Sequence, residues 1–189
     1  MSGTPRTGVI ISALALVVSI CAATFSFLQM QTSKDTAQRQ LRAYAIVSKA
    51  KLKEIGSNII PEARIAFDNV GQTPAYNASW TAGINVIPAL PGGVTQTGDC
   101  AEIMSRPEAT HWHFGKELFA NKWRDTAFSP AEVKAINEGT VYILFTGRLC
   151  YADIFHKNHH TDFCLYWQSR NGVIEYEQPQ TCQYREDAD

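Results

Sequence analysis

Charge is scarce and nearly balanced: 17 Lys and Arg stand against 18 Asp and Glu, a net charge of −1 with an isoelectric point of about 6.5. Nucleic-acid binding draws on a basic patch in a domain whose isoelectric point exceeds about 9, so nucleic acid is set aside as a partner. The short patterns that carry known chemistry are missing as well. There is no G-x-S-x-G, no phosphate-cradling glycine loop, no H-E-x-x-H and no carboxylate pair in a recognisable context. No catalytic residue and no cofactor is assigned, and the expectation is a protein that is not an enzyme.

Long apolar runs are missing too, with one exception. From Gly8 to Leu28 the chain reads GVIISALALVVSICAATFSFL, without a charge and with only Ser12, Ser19, Thr24 and Ser26 as polar side chains. About 20 such residues at 1.5 Å each cross a hydrocarbon core of ~30 Å. Their hydroxyls can bond back to a carbonyl one turn earlier, so they do not forbid insertion. The run predicts a transmembrane helix over 8–28, with the lipid bilayer as its first partner, a short tail at 1–7 and a polar helical stalk at 29–42.

Other readings of the run fit less well. A cleaved secretory signal ends its apolar stretch sooner, whereas here it continues past the cleavage-like Cys21-Ala22-Ala23 through Phe25, Phe27 and Leu28. A lipoprotein site wants a small residue before the cysteine and finds Ile20, and a pilin-type start wants a Glu that is absent. Basic residues are denser after the run (Lys34, Arg39, Arg42, Lys49, Lys51, Lys53) than before it (Arg6), a count that puts the domain in the cytoplasm. Long C-terminal domains translocate with little regard to charge, and the expectation adopted is an exported domain on a bacterial inner membrane.

The remaining 43–189 has room for one domain, and the 45% apolar content of the whole chain leaves enough to build a core. Short alternating runs read as strands at Ala43 to Leu52, Ala63 to Asn69 (Ile65 and Phe67 on one face), Ala75 to Ile87 and His111 to Phe114. Turn formers fill Asn69 to Pro74, and Pro88 to Gly98 reads as a loop. Ser129-Pro130-Ala131-Glu132 is a capping box with Pro at the first helical position, and Gly139 closes the short helix it opens. Val141 to Asp153 is apolar on both faces, as a central strand is. A polar connection at Ile154 to His160 joins it to Thr161 to Trp167, and Asn171-Gly172 leads to a last strand at Val173 to Tyr176. Seven or so strands with one small helix predict an antiparallel β-sandwich of immunoglobulin-like type.

Five histidines fall in two groups, His111 with His113 and His156 with His159 and His160. Residues two apart on a strand share a face, so His111, His113, His159 and His160 are the metal-ligand candidates, with zinc or copper as guest; the plainer reading is a strand end and a polar loop. Cys100, Cys150, Cys164 and Cys182 make an even set outside the apolar run, suited either to two disulfides or to four buried thiols. Cys150 sits opposite Cys164 about a hairpin centre near Lys157, and Cys164 can equally reach Cys182. Asp153, Asp162 and the terminal acids read as solvated charges, Asn77-Ala78-Ser79 as a chance glycosylation sequon, and Trp80, Trp112, Trp123 and Trp167 as core or interface residues.

The stretch QTSKDTAQRQLRAY, then NVGQTPAYN, GRLCYADIF and HTDFCLYW, and the ending DAD, resemble a group of small uncharacterised bacterial single-pass membrane proteins with a C-terminal β-sandwich domain. The likeness spans most of the chain except Pro88 to Asn121. It implies that architecture and brings no catalytic residue; His156 stands where such proteins tend to carry Gly. The expected function is a membrane-anchored, non-enzymatic module that binds another envelope component or plays an accessory role. The other class kept in view is a metal-binding sensor or metal-dependent enzyme built on the histidines.

Overall fold

The computed structural model describes residues 5–53, 55–89, 99–106 and 110–182. The chain divides into two units, Met1–Leu41 and Arg42–Asp189.

The first unit is a single helix, α1 (Pro5–Leu41), in which the apolar run and the polar stalk continue without a break. A proline three residues ahead of the run starts it, where a missing N–H costs nothing. At 1.5 Å per residue it is about 55 Å long, more than a bilayer core requires. The Ser19 hydroxyl donates to the Ala15 carbonyl and Thr24 to Cys21, so these two hydroxyls are satisfied inside the helix. Its Ile, Leu, Val and Phe side chains are exposed, as a lipid-facing helix requires.

The second unit is mainly β. In chain order its elements are β1 (Ala45–Leu52), β2 (Glu62–Asn69), β3 (Ala75–Ile87), α2 (Cys100–Ser105), β4 (Trp112–Phe114), β5 (Glu117–Trp123), α3 (Pro130–Asn137), β6 (Tyr142–Ala152), β7 (Asn158–Trp167) and β8 (Gln180–Thr181). Every pairing is antiparallel. One sheet has the order β1-β2-β5 and the other β4-β3-β6-β7-β8.

Alternation along the strands explains how the sheets meet. Ile65 and Phe67 leave β2 on one face and are buried at 2% and 0% exposure. Phe67 meets Trp80 of β3 edge-on at 6.3 Å and Phe163 of β7 at 5.7 Å, and Phe163 in turn meets Phe145 of β6 at 5.1 Å. Edge-to-face rings add about 0.5–1.5 kcal/mol each beyond their area. The ring of Phe163 has room only because position 147 is glycine: a Cβ there would lie 2.3 Å from the ring and 2.5 Å from the Thr81 carbonyl oxygen.

As its two apolar faces predict, β6 lies between β3 and β7. Its outward face is covered at one end by Cys100 and Ile103 of α2 against Cys150, and at the other by Cys164 and Cys182 against Leu144. Between these patches the Arg148 guanidinium holds the Asp162 carboxylate through two bonds of 2.6 and 2.8 Å.

Loops are tied by side chains. The turn after β2 is organised by Asn69, whose oxygen accepts the N–H of Tyr44 and of Gly71, both at 3.0 Å, while its amide donates to the Thr73 carbonyl at 2.7 Å. The capping box of α3 forms as predicted, and Gly139 closes that helix at φ 72°. Two other expectations fail. Val173 to Tyr176 forms no strand, only a turn with a single bridge from Arg170 to Val173, and the last strand is β8 instead. The β6–β7 connection is shorter than expected, so His159 and His160 lie within β7. The Pro88 to Gly98 loop falls largely outside the described residues.

Candidate functional site

The β6–β7 hairpin is built around one buried carboxylate. Asp153, at 2% exposure, follows β6 directly. One of its oxygens accepts the N–H of Phe155 at 2.8 Å and of Lys157 at 3.0 Å, and the other accepts the ring Nε2–H of His159 at 2.8 Å. Burial pushes the carboxyl up, but the His159 bond and the two backbone N–H groups outweigh it and hold the pKa below the usual value. The expectation that Asp153 and Asp162 are solvated is therefore corrected: one is buried in a turn and the other is paired with Arg148.

His159 also lies against Tyr151, ring centres 5.7 Å apart. The Tyr151 hydroxyl accepts the Ala45 N–H at 3.1 Å, and the Thr161 hydroxyl donates to the Ala45 carbonyl at 2.5 Å. Both backbone groups of the first residue of β1 are thus gripped by side chains of the opposite sheet. This is a mechanical arrangement, since the groups in contact with the His159–Asp153 pair bind backbone.

The other histidines scatter. His111 precedes β4 and is exposed. The ring of His113 meets Tyr76 edge-on at 5.6 Å and its Nδ1 accepts the Asn77 N–H at 3.3 Å. His156 occupies the turn at φ 59°, where glycine or asparagine is commoner, and His160 is exposed opposite Cys150. Among the described residues no group of three or more His, Cys, Asp or Glu could hold a metal ion.

The cysteines pair as Cys100–Cys150 and Cys164–Cys182, while Cys21 of α1 is free. Of the two partners open to Cys164, the structure selects Cys182. The hairpin register sets Cys150 against His160 and Cys164 against Thr146, four residues away from the symmetry that a Cys150–Cys164 bridge needs. Both bridges lie on the outward face of the five-stranded sheet.

Two of the hollows on the domain adjoin β1. One, of about 820 Å³, runs between the free edge of β1 and the stretch of β7 beyond β8, with Ser48, Asp162 and Pro179 on its walls. The other, of about 520 Å³, lies on the outward face of the three-stranded sheet, with Lys49, Lys51, Arg64 and Phe119 around it. Sequence patterning missed this second hollow because the ring on its wall, Phe119, faces solvent. Phe119 is 68% exposed and Trp123 53%, on the side of β5 that an alternation rule assigns to polar residues.

Fold and sites together define a mainly β domain of two antiparallel sheets, carried after an N-terminal apolar helix. No family model, no curated protein and no solved structure matches this chain.

Proposed function

We propose that the protein is a membrane-anchored, non-enzymatic β-sandwich module of the bacterial envelope, held by residues 8–28 and carrying its domain on the exported side of the inner membrane, where it binds another envelope component. The carrying observation is the pair of cystines in the same chain as a helix long and apolar enough to cross a bilayer. Disulfides persist in oxidising compartments, and both bridges hold flanking segments against the outward face of the five-stranded sheet. The absence of a catalytic constellation among the described residues is compatible with a binding role.

The immunoglobulin-like reading and membership of the small bacterial single-pass group belong to the same proposal. Strand order supports the former: β1, β2 and β5 take the places of strands A, B and E, and β3, β6 and β7 those of C, F and G, with β4 outside β3. Its cystines differ from the inter-sheet bridge of antibody domains, since one ties α2 to β6 and the other ties β7 to the residue after β8.

Alkylation tests the orientation. In bacterial cells quenched without reductant, the thiols of Cys100, Cys150, Cys164 and Cys182 stay unmodified, and after mild reduction an impermeant maleimide reaches Cys100 and Cys182 in intact cells. Full alkylation of all four without reductant, or labelling only after lysis, refutes the exported domain.

A further inference from the structure

The three-stranded sheet ends in two edges, β1 on one side and β5 on the other, and the chain treats them differently. Along β1 the ladder slips between Val47 and Lys49, and Lys49 and Lys51 follow the slip. Its end residues already have partners beyond the sheet: Tyr151 and Thr161 hold the backbone of Ala45, and the Leu52 N–H donates to the Tyr176 carbonyl. Bulges, lysines and covering side chains are the usual means of keeping an edge from pairing with another strand. By contrast, Glu117–Trp123 of β5 runs against β2 without a slip and holds no proline, and its one lysine, Lys122, sits next to its end.

Bonds at the two ends of β5 fix the direction of its backbone groups. The Arg124 N–H donates to the Pro61 carbonyl at 3.0 Å, and the Asn69 N–H to the Lys116 carbonyl at 2.7 Å. Even-numbered residues of β5 therefore turn their N–H and C=O towards β2, and Glu117, Phe119, Asn121 and Trp123 turn theirs to the outer edge. Among the described residues none of these four backbones has a hydrogen-bond partner there. The same four carry the side chains of the outward face, where Phe119 and Trp123 are both more than half exposed. An unpaired edge and two uncovered rings thus coincide on one regular strand.

We propose that β5 pairs antiparallel with β5 of a second copy of this chain, about a two-fold axis through Asn121, so that the two three-stranded sheets become one continuous sheet. This register sets Asn121 against Asn121 of the second copy, Phe119 against its Trp123, and Trp123 against its Phe119. Each of these pairs exchanges two backbone bonds, and side chains directly opposite point to the same face with Cβ atoms about 5 Å apart, within ring contact. Moving the axis to Ala120 puts Glu117 against Trp123 and Phe119 against Asn121, and moving it to Lys122 puts Trp123 against Asn121. Only the axis at Asn121 gives both rings a ring, and a second copy supplies them at the required spacing by symmetry. The same register has a cost: Glu117 falls opposite Asp125, the second residue past β5, a like-charge pair at each end of the ladder. An edge contact of this length buries less than about 1,200 Å², the range of weak complexes. The membrane-anchored reading enters only here, because two copies held in one bilayer meet at a raised effective concentration.

Cross-linking of the full chain in phosphatidylcholine vesicles tests the register. In a Cys21→Ala background the remaining cysteines are all bridged, so an introduced cysteine is the one free thiol. Asn121→Cys, on the axis, should form a disulfide dimer under mild oxidation. Glu117→Cys should not, since its counterpart in the second copy lies about 27 Å away along the ladder. Adding Phe119→Ala/Trp123→Ala should lower the yield at position 121 about tenfold, and Phe119→Trp, which keeps ring against ring, should preserve it. Adding Glu117→Lys should raise the yield about threefold by setting a cation against Asp125 at both ends, a gain that misfolding cannot produce. Flotation with the vesicles scores the membrane reading separately. No cross-link at position 121, equal cross-linking at 117 and 121, full yield in the double aromatic variant, or no gain with Glu117→Lys overturns the proposal.

Discussion

Replacing Asp153 with alanine should be among the most damaging single changes in the domain outside its apolar core. The carboxylate accepts three hydrogen bonds at 2.8, 3.0 and 2.8 Å from Phe155, Lys157 and His159, and it is 2% exposed. Hydrogen bonds to a charged group contribute about 1.5–3 kcal/mol each, but the two backbone donors in this surface turn recover water once the acceptor is gone. A net loss of about 3 kcal/mol follows, with Asp153→Asn intermediate because it keeps one carbonyl oxygen. The assay is urea unfolding of the disulfide-intact chain, followed by tryptophan fluorescence.

The pH dependence makes this prediction specific. The folded pKa of Asp153 lies below its ordinary value of 3.8, so the carboxylate contributes stability above that value and loses the contribution as pH falls through the folded pKa. The wild type should therefore lead Asp153→Ala by a constant margin from pH 7 down to about 4.5, with the margin shrinking below pH 3.8. A loss under about 1 kcal/mol at pH 7, or a margin that stays flat to pH 2.5, refutes the account of the turn.

Gly147→Ala drives a methyl group into Phe163 and the Thr81 carbonyl, and should cost about 3 kcal/mol in the same unfolding assay. The Cys100–Cys150 bridge closes a longer loop than Cys164–Cys182, 50 residues against 18, so replacing the first pair with alanine should cost about 0.9 kcal/mol more than replacing the second. Ser129→Ala removes the cap of α3 and should cost about 1 kcal/mol by thermal denaturation. Glu132 is held below its usual pKa by the Ser129 N–H first, against desolvation, and then by the Ser129 hydroxyl and Arg124, so the pH titration of Ser129→Ala should show a smaller stability loss as pH falls below about 4.5 than the wild type shows.

Legibility in the sequence followed the number of residues that carried each signal. The apolar run needed only length and hydropathy, and it is one helix. The capping box of α3 is a local pattern of four residues, and both reciprocal bonds form. By contrast β8 is two residues long and is held by its register on β7 and by the Cys164–Cys182 bridge, neither of which a local pattern can express. Likewise α2 has six residues, with Cys100 and Ile103 buried against Cys150, a partner 50 positions away. The hairpin went wrong for a subtler reason. Three histidines, an asparagine and a lysine made residues 154–160 look like a loop, yet Asp153 gathers the turn so tightly that β7 begins at Asn158.

Much the same physics separates the two candidate sites. The histidines drew attention because imidazole is chemically versatile, but versatility is a property of a side chain and a site is a property of neighbours. His159 is committed to Asp153, and His113 to Asn77 and Tyr76. Phe119 and Trp123 look inert one at a time, and only the register of β5 on β2 and of β2 on β1 reveals their neighbours: Phe119 shares a row with Ala66 and Lys49, and Trp123 stands opposite Glu62. An alternation rule assumes that every ring seeks the core, so it hides any surface on which rings are displayed outward. In this domain the apolar core is complete without those two rings, which is the physical reason to look for what they meet outside it.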